Sequence, residues 1–126
     1  MKQIVYTPNA PEPIGPYSQA VIANGMVYLS GQVAIDPSTN EVVEGSLAEQ
    51  AELVMRNLEA VLAAADSSFA QVIKTSIFLA PGEDFGTVNT IYGSRFTGDY
   101  PARETVWVNT LPKNVKVEIS MIALVG

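Results

Sequence analysis

Val117-Glu118-Ile119-Ser120-Met121-Ile122-Ala123-Leu124-Val125 decides how this fold must be built. The run is rich in β-branched and aliphatic side chains and holds neither glycine nor proline, so it reads as a strand, predicted over Lys116–Val125. A strand with one face in water alternates apolar with polar residues. Here the alternation lasts only through Ser120, and from Met121 onward both faces are apolar. One face packs on the chain's own core, and the other needs a further cover. A subunit interface is the expected cover, so this run alone predicts an oligomer.

Working back from that strand, Leu111-Pro112-Lys113-Asn114 reads as a turn joining it to another strand at Glu104–Asn109, the two forming a last hairpin. Asp84 can cap a helix whose buried side includes Phe85, Val88, Tyr92 and Phe96, ending near Gly98. Val72–Leu79 is a strand. Before it lies the clearest helix, with Ser46 and Glu49 as a capping box. Its stripe of Leu47, Ala51, Val54, Leu58, Val61 and Ala65 follows helical spacing, and Asp66-Ser67-Ser68 ends it. Asn24-Gly25 between Gln19–Ala23 and Met26–Ser30 signals a tight hairpin. A turn at Pro37–Asn40 separates Val33–Ile35 from Glu41–Val43, and residues 2–7 form a first strand. Pro8, Pro11, Pro13 and Pro16 stiffen the loop after it. The order is β-β-β-α-β-α-β-β, an α+β class with one mixed sheet in a single domain over 1–126. Two helices can cover only one face of such a sheet.

Composition narrows the chemistry. The chain has no histidine and no cysteine. Thiolate nucleophiles, Ser-His-Asp relays, imidazole bases and nearly every zinc site are thereby excluded, so no metal is expected. Carboxylates, lysine, arginine, tyrosine, hydroxyls and backbone amides remain. Net charge is −6, and the seven basic residues are scattered along the chain. No basic stripe is available for a phosphate backbone, so no nucleic-acid partner is expected. No apolar run is long enough for a membrane span and no export signal is visible, so the expected location is cytoplasmic.

Several positions break local rules. Glu118 sits among Val117, Ile119, Met121 and Ile122, where a carboxylate must be paired, hydrogen-bonded or raised in pKa; alternatively it faces solvent on an edge strand. Arg103, just before a strand and two residues after Pro101, offers a planar fork for a small carboxylate, or an ordinary ion pair with Glu104 or Asp99. Tyr17 closes a rigid loop, as packing or as a ligand contact. Ser30-Gly31-Gln32 reads as a bulge that lets a ligand approach the backbone, or as a turn. Asn89 lies on the second helix, where it can simply be solvated.

Taken together these stretches resemble the RidA/YjgF family of small reactive-imine deaminases. The matching segments are Ile14-Gly15-Pro16-Tyr17-Ser18-Gln19-Ala20, Leu29-Ser30-Gly31-Gln32, Asp84-Phe85 with Val88-Asn89, Tyr100-Pro101-Ala102-Arg103, and Leu111 through Ile119. The resemblance implies a chorismate-mutase-like α+β fold, assembled as a homotrimer with sites at subunit interfaces and no cofactor. It implies that Arg103 binds the carboxylate of a 2-imino or 2-keto acid and that Glu118 orients and activates a water. Tyr17, Ser30 and Asn89 would line the pocket, with backbone groups near Gly31 and Thr105 completing it. Many family members carry cysteine where this chain has Thr105; the chemistry runs through water, so a threonine that keeps its N–H is compatible with it. The implied reaction turns 2-aminoacrylate and 2-aminocrotonate, as imines, into 2-keto acids and ammonia. Two other readings compete with it: a regulatory trimer that binds small keto acids without turnover, and an RNA-cleaving protein. The acidic balance and the absence of histidine oppose the last.

Overall fold

The computed structural model describes residues 1–126. Ten elements follow one another: β1 (Gln3–Val5), β2 (Ala20–Ala23), β3 (Met26–Gln32), β4 (Ile35–Asp36), β5 (Glu41–Val42), α1 (Leu47–Ala64), β6 (Val72–Leu79), α2 (Phe85–Gly93), β7 (Ala102–Trp107) and β8 (Val117–Leu124). Asn24 and Gly25 take positive φ, 52° and 76°, the pairing that a two-residue hairpin turn needs, and β2 and β3 pair across it. Six strands form one sheet in the order β1-β2-β3-β8-β6-β7. All neighbours are antiparallel except β6 and β7, which run parallel, so the sheet is mixed as expected. β4 and β5 make a separate small ribbon around the Pro37–Asn40 turn.

Both helices lie on one face. The capping box of α1 is complete: Ser46 Oγ accepts from Glu49 N at 3.1 Å, and Glu49 Oε1 accepts from Ser46 N at 2.9 Å. The expected stripe is buried, and Leu53, Met55 and Leu62 widen it. It packs on the alternate residues Val27 and Leu29 of β3, Ile77 and Leu79 of β6, and Val117, Ile119, Met121 and Ala123 of β8. Two buried polar residues of α1 bind backbone instead. Gln50 donates to Val43 O and accepts from Lys116 N, and Asn57 donates to Ile35 O at 2.9 Å.

The opposite face of the sheet has no helix on it. Tyr28 on β3, Phe78 on β6, Val106 on β7 and Ile122 on β8 stand there exposed or half-buried, interrupted by Ser76, Ser120 and the Lys74–Glu104 ion pair at 3.0 Å. The two apolar faces of the closing strand thus have different fates: one is core, the other is open.

Four expectations need correction. The last two strands are not a hairpin, because β6 lies between β7 and β8. β7 begins at Ala102, since parallel pairing with β6 starts at Lys74↔Ala102, and Arg103 therefore lies within the strand. α2 stops at Gly93, where Ser94, Arg95 and Phe96 turn back on Thr90, Tyr92 and Gly93 carbonyls; Phe96 reaches the core through that turn, 4.8 Å from Tyr92 and 5.7 Å from Phe69. β1 ends at Val5, because Thr7 turns inward to bond the Gln19 side chain.

Candidate functional site

Strand alternation sorts the candidate residues onto two sides of the sheet. Arg103 pairs with buried Thr75, and Thr105 pairs with buried Ile77, so both point to the helix side. There the Arg103 guanidinium lies 5.0 Å from the Tyr92 ring and 5.4 Å from the Phe85 ring, within cation–π range of both. Tyr92 is fixed in turn, its hydroxyl donating to Thr75 Oγ1 at 3.0 Å inside the core. Phe85 stands against Trp107 at 6.0 Å, and Trp107 Nε1 donates to Glu83 O at 3.0 Å. The chain's two ion pairs, Lys74–Glu104 and Arg95–Glu52, leave Arg103 without a carboxylate. Glu104, the partner suggested by adjacency, points to the other face. Asn89, Tyr92, Gly93, Tyr100 and Pro101 close a cavity of about 290 Å³ around this free charge. On the same side of β7, Thr105 Oγ1 is buried with no hydrogen-bond partner.

Glu118 pairs with Phe78 and faces the open side. One extra residue on β3 between Leu29 and Gln32 makes a bulge at Ser30-Gly31, opposite the β8 segment that carries Glu118. The Glu118 side chain lies across Gly31. A Cβ on residue 31 would sit 2.9 Å from Glu118 Cδ and closer still to the carboxylate, so this approach requires glycine. The carboxylate is half-buried, and burial alone, with no hydrogen bond or charge to offset it, raises its pKa above the ordinary glutamate value. Ser30 Oγ donates to Ser18 O at 2.6 Å, which ties the bulge to the loop bearing Tyr17. Tyr17 Oη accepts from Ile14 N at 3.3 Å. The buried Gln19 amide anchors the whole loop through Thr7, Ala10 and Pro11. Ile14, Tyr17, Ser30, Gly31, Val33, Ile35, Pro112, Lys113 and Glu118 surround a cavity of about 360 Å³.

One chain therefore carries two candidate half-sites. Arg103, Asn89 and Thr105 share the helix side of β7, while Tyr17, Ser30, Gly31 and Glu118 share the other. Through the registers Arg103↔Thr75 and Glu118↔Phe78, the arginine and glutamate are two strands and three residues apart. Their Cα atoms are then roughly 14 Å apart at ordinary strand spacings, with side chains on opposite faces. No last hairpin joins them within a chain, because β6 intervenes and the alternation splits them. The sequence reading also placed Phe85 and Tyr92 only as core; their role as the arginine's cradle needs the α2–β7 approach, which no local pattern reveals. No group of three or more carboxylates gathers to hold a metal ion.

Comparison with known proteins adds an independent line. The family profile described as endoribonuclease L-PSP matches residues 7–125. The chain belongs to the RidA/YjgF family. Protein DfrA of Myxococcus xanthus is 50% identical over 125 residues, covering 98% of this chain and 95% of that protein. A rat relative named 2-iminobutanoate/2-iminopropanoate deaminase is 44% identical, covering 100% of this chain and 92% of its own length. Among solved structures, YyfA of Yersinia pestis, of the Rid family, superimposes with a TM-score of 0.96 at 44% identity, covering 99% of this chain and 100% of that one. The α+β fold with its mixed sheet and two helices is thus the RidA/YjgF fold. No helix is long and apolar enough to cross a membrane.

Proposed function

We propose that the chain is an imine deaminase that converts 2-imino acids, such as the imines of 2-aminoacrylate and 2-aminocrotonate, into 2-keto acids and ammonia. One observation carries the reading: a guanidinium without a carboxylate partner and a half-buried carboxylate without a cation each face a cavity. Because these half-sites lie on opposite faces of one sheet, a complete site takes Arg103 from one copy and Glu118 from another, in a homotrimer of the kind the family resemblance implies. The mammalian relatives named for this activity support the choice of reaction.

In this mechanism Arg103 binds the substrate carboxylate with two parallel N–H···O bonds, its plane already set by Phe85 and Tyr92. The iminium carbon is electrophilic. Glu118 takes a proton from a water as that water attacks, giving the carbinolamine. The same carboxyl returns the proton to nitrogen. The C–N bond then breaks and releases ammonia as the Glu118 carboxylate takes the hydroxyl proton, giving the keto acid; that proton passes on to the ammonia, which leaves as ammonium. A carboxylate whose pKa is raised by burial is a stronger base toward the attacking water, and proton transfer of this kind is worth roughly 10²–10⁴-fold. The acceleration needs Glu118 ionised, so activity falls as pH drops through its raised pKa, earlier than for an ordinary glutamate. No cofactor takes part.

The test follows imine decay after a serine or threonine dehydratase generates it. Arg103→Ala should lose the acceleration while keeping the oligomer, and full activity in that variant would remove the anchor role. Tight binding of 2-ketobutyrate by a wild type that leaves imine decay unchanged would replace the enzyme with a regulatory binder.

A further inference from the structure

Lys113 belongs to no role assigned so far, yet it lines the Glu118 cavity and is the only basic residue that does. The other cations are otherwise engaged or elsewhere. Lys74 and Arg95 are in ion pairs, Arg103 lines the other cavity, and Arg56 shares its groove with Asp36, Glu49 and Glu52. Lys113 has no ion pair and is exposed. Its backbone is unusual as well. Lys113 adopts φ 57°, ψ 20°, and Asn114 follows at φ 57°. Two successive residues other than glycine in the left-handed region are sterically costly. Asparagine tolerates that region well, whereas lysine has no short polar group to compensate. The turn is held in this shape by Asn114 N to Leu111 O at 3.0 Å and Val115 N to Pro112 O at 3.3 Å. Strained backbone of this kind clusters where function holds it in place.

We propose that Lys113 is a substrate-capturing residue, whose ammonium at the mouth of the Glu118 cavity draws in the carboxylate of the 2-imino acid. This rests on the deaminase reading above. The need for it is electrostatic: a protein of net charge −6 repels an anionic substrate, and a cavity bearing an unpaired carboxylate repels it further. A flexible, exposed ammonium at the rim brings a positive charge to the mouth of the cavity without forming an ion pair with Glu118. Capture therefore acts on binding, and the chemistry stays with Glu118.

Three variants test it: Lys113→Gln removes the charge, Lys113→Arg keeps it, and Lys113→Gly removes charge and backbone strain together. At low ionic strength K113Q and K113G should raise KM for the imine roughly tenfold, with kcat much less affected, and should weaken calorimetric binding of 2-ketobutyrate by the same factor. Salt should shrink the difference, because it screens an exposed charge. K113R should restore both values, and K113G should melt at a higher temperature than wild type. A K113Q protein equal to wild type in KM and in 2-ketobutyrate affinity at low salt would overturn the inference while leaving the deaminase reading intact. A wild type that neither accelerates imine decay nor binds the keto acid would overturn that reading, and this inference with it.

Discussion

At the scale of single residues, Gly31 and Glu118 form a matched pair. The absent Cβ leaves room for the carboxylate, and the atoms that a Cβ would meet belong to the far end of the glutamate side chain. Gly31→Ala should therefore displace the carboxyl and leave the backbone nearly unmoved. Its kcat should fall at least tenfold while Tm changes little, roughly the loss expected when general acid–base help is misplaced; unchanged kcat would show that the close approach has no catalytic meaning. Burial raises the Glu118 pKa, so folding favours the protonated form. That contribution to stability is present below the ordinary glutamate range and is lost as pH rises through the folded-state value. Glu118→Gln cannot ionise. Its melting temperature should exceed that of wild type at neutral pH, and the gap should close near about pH 4. An equal gap at both pH values would contradict a burial-driven shift.

At the scale of elements, the parts legible from sequence are those set by local rules. The capping box of Ser46 and Glu49, the stripe of α1 and the Asn24-Gly25 turn all appear where side-chain chemistry and spacing require. Ser46→Ala should cost about 1 kcal/mol, seen as a drop in Tm of about 4 °C by calorimetry, and no drop would mean that tertiary packing alone holds the start of the helix. What escaped the reading is non-local. A turn such as Leu111–Asn114 is compatible with a hairpin, and nothing in it announces that β6, some forty residues earlier in the chain, inserts between the flanking strands. Likewise Arg103 and Glu118 could be singled out by residue type, but the side of the sheet each faces depends on β7 starting at Ala102 and pairing parallel with β6. Phe85 and Tyr92 read as ordinary apolar helix residues, because a cation–π cradle has no sequence period.

At the scale of the whole molecule, the closing strand and the divided site make the same demand. From Met121 onward the closing strand is apolar on two faces, and only one of them is covered within the chain. Arg103 and Glu118 stand on opposite sides of the sheet, and on the proposed reading a second copy completes each half-site. A protein that left these half-sites separate would hold an unpaired guanidinium and an unpaired, partly desolvated carboxylate without joint use. The direct measurement is complementation between two inactive variants, Arg103→Ala and Glu118→Gln, combined by refolding an equal mixture and assayed for imine decay. Sites shared between copies place an intact arginine opposite an intact glutamate in some of the mixed oligomers, so the mixture should regain roughly a quarter of wild-type activity. A mixture as inactive as its two parents would contradict a site built from two chains.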